Sequence, residues 1–304
     1  MSTLVSAGPS NHRRHRLQSV GLFFASLALM AVVWELYKLV GPAKGGEIFG
    51  ARLLPKTENS AMPHVWDMLS RFGRKEIPGA SKSDIILVSV LKGAWYSFRL
   101  ALGGLLGGLV VGLGLAVVMA RFRVVERGLL PWLVISQTVP LIALAPLVVS
   151  WGGKLKLGGF EWQKWMSASL ISAFLAFFPI AIGALRGLSS PAPAAVELLN
   201  SYAASWRTGL VKLRIPAAIP YLIPSLKLGA NSAVIGAIVA EISTGLRGGI
   251  GRLIIEYARE ATSDPAKLFT AVFGASLLGL AMAGAVGLLD TITSRHRPKE
   301  QATT

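Results

Sequence analysis

The sequence predicts an all-α membrane protein with six transmembrane helices, and three observations carry that expectation. Of 304 residues, 53% are hydrophobic and 15% charged, with a mean hydropathy of +0.57, whereas soluble domains carry about 25% charged residues. Six stretches reach the roughly 20 apolar residues that a helix needs to cross a bilayer: residues 20–40, 100–120, 129–151, 166–185, 222–242 and 268–289. Lysine and arginine gather in the short loops between them, where they set topology. The net charge of +16 is therefore read as loop charge rather than as a nucleic-acid footprint, and no nucleic-acid partner is expected. There is no cysteine, which removes disulfide frameworks, thiol nucleophiles, iron–sulfur clusters and thiolate zinc sites.

Residues 1–19 form a basic N-terminus with Arg13, Arg14 and Arg16. The first stretch, 20–40, is too long for a signal-peptide core and no small-residue cleavage site follows it, so it reads as a retained helix. An even number of spans puts both termini on one side. Arg121, Arg123 and Arg127, then Arg186, Arg207, Lys212 and Arg214, then Arg295, Arg297 and Lys299 share that side. They outnumber the cations of the opposite short loops (Lys154, Lys156, Lys164, Arg247, Arg252, Arg259 and Lys267), so both termini are expected in the cytoplasm of a multi-pass inner, or plasma, membrane protein. The external segment 41–99 holds one amphipathic patch, 62–72, and an apolar run from Asp84 into the second span.

The second span carries Gly104, Gly108 and Gly112 on one helix face, a spacing that lets helix backbones approach closely in lipid. The sixth repeats it with Ala275, Gly279, Ala283 and Gly287. The third span contains Ser136, Gln137 and Thr138 ahead of Pro140. Proline frees a backbone carbonyl, and polar side chains beside it favour a protein-facing or water-lined position. Gln137 and Thr138, with Asn231 of the fifth span, are candidates for lining a translocation path. Glu241 is a further candidate, with helix capping or an ion pair as its alternative. Glu35 and Lys227 lie near span ends, where long side chains snorkel.

Several chemistries are missing. There is no phosphate-binding G-x-x-x-x-G-K-[ST] loop, no G-x-S-x-G elbow and no histidine inside a span. The turn 247–251 lacks the preceding strand a nucleotide site needs. No cofactor is expected on this chain, and an enzyme is disfavoured. A secondary transporter driven by an ion gradient calls for internal repeats and midplane charges, which the sequence does not offer.

The segment 186–221 is the most specific. Pro191 and Pro193 start a helix through Glu197; the small patch Ala203-Ala204-Ser205 follows, then Arg207, Lys212 and Arg214, then Ile215-Pro216. This describes a helix–turn–helix with a small tip, suited to docking in a groove of another protein. The segment resembles the EAA loop of ABC-transporter permease subunits. Glu197 matches the loop's glutamate, Ala203 stands where a glycine is usual, and Ile215-Pro216 matches the closing apolar–proline pair. Gln137-Thr138-Val139-Pro140 resembles the third-span region of the branch that imports nitrate, sulfonates, taurine, bicarbonate or thiamine-pyrimidine precursors. The resemblance spans about residues 85–290, a permease core with five further transmembrane helices, and leaves 290–304 as a cytoplasmic tail.

The resemblance implies a type I ABC importer architecture. Glu197, Tyr202, Ala203, Ala204, Ser205, Arg207 and Pro216 are then the residues that couple to an ABC ATPase subunit, which binds the ATP. It further implies an extracytoplasmic solute-binding protein, a second permease copy forming a homodimer, membrane lipid around the spans and a small-molecule substrate.

Overall fold

The computed structural model describes residues 11–48, 51–80 and 82–294; the first ten residues and the tail cations Arg295, Arg297 and Lys299 lie outside them. Eleven α-helices follow one another among the described residues: α1 (Asn11–Val40), α2 (Val65–Arg71), α3 (Ile86–Arg121), α4 (Arg123–Ser136), α5 (Leu141–Gly152), α6 (Lys164–Leu188), α7 (Pro193–Ser201), α8 (Trp206–Gly209), α9 (Ile215–Thr244), α10 (Ile250–Arg259) and α11 (Pro265–Ser294). A π-helical turn, Leu210–Arg214, joins α8 to α9. Two short antiparallel ribbons, Gly46–Ile48 with Ala51–Leu54 and Lys156–Leu157 with Phe160–Glu161, decorate the loops.

Among the described residues five helices are long and apolar enough to cross a membrane, and α4 with α5 qualifies only as a bent pair, so the number of spans is five, or six if that pair is one broken span. That pair corrects the expected straight span over 129–151: α4 and α5 meet at an angle of 100°. The cause is local. Pro140 has no N–H to continue the helix and pushes Val139 away from helical geometry. The adjacent hydroxyls bond back to carbonyls of the last turn of α4: Ser136 Oγ donates to Leu133 O at 2.7 Å and Thr138 Oγ1 to Ile135 O at 2.8 Å.

The core is the packing of α6 between α3 and α9. A side chain at Gly108 would lie 2.8 Å from the Cβ of Ala176, and one at Gly112 would lie 2.8 Å from Phe177 O, so the glycine face of α3 sets its approach to α6. Across the other face, Ser172 Oγ donates to Ala233 O at 2.6 Å, an interhelical bond of the kind that holds bundles in lipid. The small-residue stripe of α11 behaves differently: nothing lies within 4 Å of a side chain built at Gly279. Ala271, Leu278, Met282 and Val286 are among the residues α11 buries, with Ala266, Lys267 and Thr270 at its start.

The membrane-crossing part of α1 has no buried residues. It is tethered at its end: Trp34 Nε1 donates to Pro63 O at 3.1 Å, Tyr37 OH to Pro55 O at 3.1 Å, and Glu35 accepts from Val65 N at 2.8 Å while pairing with His64. In the expected 62–72 patch, Met68 and Arg71 of α2 are buried.

Candidate functional site

The two ends of the bundle differ, and the end carrying α7 and α8 is an exposed hairpin. Pro193 occupies the first turn of α7, where a missing N–H costs nothing. The helix stops in a tight C-terminal motif: Ala203 N donates to Asn200 O at 2.9 Å and Ala204 N to Leu199 O at 3.0 Å, the paired bonds that place one residue in left-handed geometry. That residue is Ala203, at φ 50°. Alanine therefore holds the backbone conformation that a glycine would adopt freely. Ser205 then caps α8, its Oγ accepting from Thr208 N at 3.3 Å.

Around this turn Glu197, Arg207 and Pro216 are exposed, as are Leu198 at 58% and Tyr202 at 77%. Ala204 is half-buried. The expected coupling residues are thus gathered on one projecting hairpin, with Pro216 in the first turn of α9. Two supports of this hairpin were not anticipated. The Arg121 guanidinium lies 5.2 Å from the Trp206 ring centroid, joining the end of α3 to α8, and Arg214 Nη1 donates to Leu188 O at 2.9 Å. An arginine at a helix end and a tryptophan in a loop segment were the available signals, but nothing in the sequence pairs them.

A cleft of about 500 Å³ opens between the α4–α5 break, α6 and α9, lined by Gln137, Phe178, Arg186, Tyr221, Ser225 and Ser232 among others. Gln137 faces this cleft; Thr138 is exposed at the break. Asn231 is exposed on α9, next to Leu228 and Ser232 of the lining. Arg186 supplies a cation at the end of the cleft nearer the hairpin.

Glu241 is placed elsewhere. It has no exposed surface and occupies the capping position named above as its alternative. Ser97 Oγ donates to its Oε1 at 2.6 Å, and Gly251 N donates to its Oε2 at 2.8 Å. Ser97 Oγ in turn accepts from Ile250 N at 2.9 Å. Two orphan amides of the first turn of α10 are thereby satisfied by a carboxylate and its hydroxyl relay. The far part of α10 is fixed as well. The buried Tyr257 hydroxyl donates to Glu76 Oε1 at 2.9 Å, while Ser89 Oγ donates to Glu76 Oε2 at 2.6 Å. Burial, and after it the Glu76 carboxylate, push the Tyr257 phenol well above its ordinary pKa, so it stays a donor. Arg71 Nε meets Asp264 at 2.6 Å, and Lys267 Nζ donates to Glu76 O at 2.9 Å. Among the described residues no group of three or more His, Asp or Glu is arranged to hold a metal.

A family profile described as "Binding-protein-dependent transport system inner membrane component" matches residues 85–295, more than half of the chain. The formylaminopyrimidine transport permease protein ThiX of Halalkalibacterium halodurans is 32% identical over 201 residues, covering 65% of this chain and 74% of that protein. The putative aliphatic sulfonates transport permease protein SsuC of Bacillus subtilis is 31% identical over 195 residues, with 64% and 65% covered. The riboflavin transport system permease protein RibX of Chloroflexus aurantiacus is 31% identical over 176 residues, with 58% and 61% covered. The chain belongs to the binding-protein-dependent transport system inner membrane component family and is an ABC-transporter permease subunit, a multi-pass membrane protein of all-α architecture. Permeases of this family work with ATPase and substrate-binding partners.

Proposed function

We propose that two copies of this chain form the translocation path of an importer and convert ATP binding in a docked ATPase subunit into uptake of a small solute. The observation that carries the coupling role is the continuity between the exposed hairpin and the bundle. The turn at Ala203 leads through α8 and the π-helical turn directly into α9, a single helix from Ile215 to Thr244. A push on the hairpin is therefore applied to a helix that runs the depth of the bundle past Asn231. Gln137, Thr138 and Asn231 line the path in this reading, and Glu197, Tyr202, Ala203, Ala204, Ser205, Arg207 and Pro216 make or support the ATPase contact. Alternating access follows from rocking the two copies against each other.

In this reading the hairpin and both termini face the cytoplasm, and α2 and α10 face outward, where a solute-binding protein delivers its cargo. The substrate is a nitrate-, sulfonate- or taurine-like anion, or a pyrimidine- or riboflavin-type compound. The relatives' names support that range, and Arg186 with the hydroxyls of Ser225 and Ser232 in the cleft suits an anionic or polar solute.

The test is Ala203→Arg, which places a bulky cation at the tip. Uptake of labelled alkanesulfonate, formylaminopyrimidine and riboflavin is measured in cells carrying the wild-type or variant chain. The variant should reach the membrane in normal amount and lose ATP-driven uptake of whichever solute the wild type carries. Uptake at the wild-type rate would remove the coupling assignment.

A further inference from the structure

The buried carboxylate of Glu241 does not line the cleft, yet both of its oxygens are hydrogen-bonded, one to Ser97 and one to Gly251. It leaves α9 three residues before that helix ends at Thr244 and reaches the first turn of α10. Between the two helices the chain is only the turn 245–249, with Gly245 and Gly248 both in left-handed geometry. A glycine-rich turn of this kind is a hinge by composition; left to itself it would let α10 swing. The carboxylate removes that freedom. A side chain at Gly249 would collide with the Glu241 carboxylate, and one at Gly251 would lie 2.6 Å from Ile238 O, so α10 begins in direct contact with the end of α9. Ser97 adds a third helix, because it donates to Glu241 and accepts from Ile250 N.

We propose that Glu241, oriented by Ser97, is the positioning residue that locks α10 to α9, so that the outer closing surface moves as one body with the helix driven from the hairpin. This rests on the coupling reading given above. It extends that reading to the opposite end of the molecule: α9 connects the tip to Glu241, Glu241 holds the first turn of α10, and Tyr257 ties the rest of α10 to the outer segment through Glu76. The chain from hairpin to outer surface then contains one continuous helix and one hydrogen-bonded joint, and the glycine turn is bypassed.

This chain has no cysteine, so introduced cysteines are its sole labelled sites, and any cysteines of the partner subunits are replaced beforehand. The complex purified through a tag on this chain is reconstituted in proteoliposomes, without nucleotide and trapped with ATP and vanadate. An Ile235→Cys/Ala258→Cys pair, both at exposed positions, reports the α9–α10 distance by spin labelling. Single Ala258→Cys and Asn200→Cys chains report the reactivity of the outer helix and of the hairpin toward a water-soluble maleimide. The wild type should show one narrow distance in both states, with both single cysteines changing reactivity several-fold on trapping. Glu241→Gln keeps the size of the side chain but offers only one acceptor oxygen. It should broaden the distance distribution and cancel the nucleotide response at position 258, while position 200 still responds. Ser97→Ala, which removes only the relay, should do the same more weakly and serves if Glu241→Gln does not accumulate. A narrow distance and an intact response at 258 in these variants would overturn the proposal. So would a wild type in which 200 responds and 258 does not. A wild type in which neither responds would instead overturn the coupling reading beneath it.

Discussion

The hairpin end and the α10 end of this bundle have opposite constructions. At the hairpin, Leu198, Tyr202 and Val211 are exposed apolar side chains, the backbone holds a strained residue at Ala203, and the cross-links to the rest of the molecule include one cation–π contact and one arginine–carbonyl bond. At the α10 end, Glu241, Ser97, Arg71, Tyr257 and Lys267 are all buried and are bonded across elements that lie far apart in sequence. One end is finished within the chain; the other, in the reading proposed above, is a surface that an ATPase subunit completes. The difference teaches where stability and where coupling reside. Removing side chains at α10 should cost folding free energy, and removing them at the hairpin should cost partnership.

The largest effect on stability should come from Glu241→Ala. It leaves Ser97 Oγ and Gly251 N without their buried acceptor, and unsatisfied buried donors cost roughly 1–3 kcal/mol each, so the loss is about 3 kcal/mol. Tyr202→Ala at the hairpin should change stability by under about 0.5 kcal/mol. Thermal unfolding of the two variants in detergent compares them directly, and equal losses would break the contrast.

A smaller effect is expected at Tyr257. Tyr257→Phe removes one hydrogen bond to Glu76, worth about 1 kcal/mol. Its pH dependence has a definite sign. The folded phenol is held above the ordinary value of 10.0, so the unfolded chain loses that proton first. The contribution is complete below about pH 10 and declines as pH rises past it. Unfolding midpoints on either side of pH 10 should show an alkaline loss in the wild type that is reduced in Tyr257→Phe.

An effect below that at Tyr257 is expected at the tip, and it has the opposite direction. Ala203→Gly relieves left-handed geometry that costs an L-residue about 1–2 kcal/mol, offset in part by the extra freedom of glycine in the unfolded chain. A gain of about 0.5–1 kcal/mol in local stability, read by hydrogen exchange at Ala203 and Ala204, sharpens the comparison. No gain would mean that the turn is held by something other than its own backbone.

Much of this was legible in the sequence because it is local. Hydropathy alone marked five of the six expected stretches as single long apolar helices, the glycine spacing of α3 named the face that meets α6, and Pro193 marked the start of α7. Pro140 with three polar neighbours was read as a protein-facing or water-lined stretch of one span, whereas the 100° turn between α4 and α5 depends on what each half packs against. The stripe of Ala275, Gly279 and Ala283 was a mixed guide: Ala275 packs against Ile86, Val90 and Ile250, while a side chain at Gly279 would meet nothing, because small residues permit close approach without requiring it. The joint at Glu241 was out of reach: Ser97 is 144 residues away and is an ordinary serine in an apolar run. The Arg71–Asp264 pair bridges 193 residues and leaves no sequence signal either.

Coupling requires the hairpin to be a docking surface, and co-purification reads that docking. Tagged wild-type chain and the Ala203→Arg variant are purified from native membranes in mild detergent, and the co-purifying proteins are identified by mass spectrometry. An ATP-hydrolysing subunit should accompany the wild type in near-equal amount and be lost from the variant. A wild-type chain that purifies without an ATPase, or a variant that retains it in full, would contradict the claim.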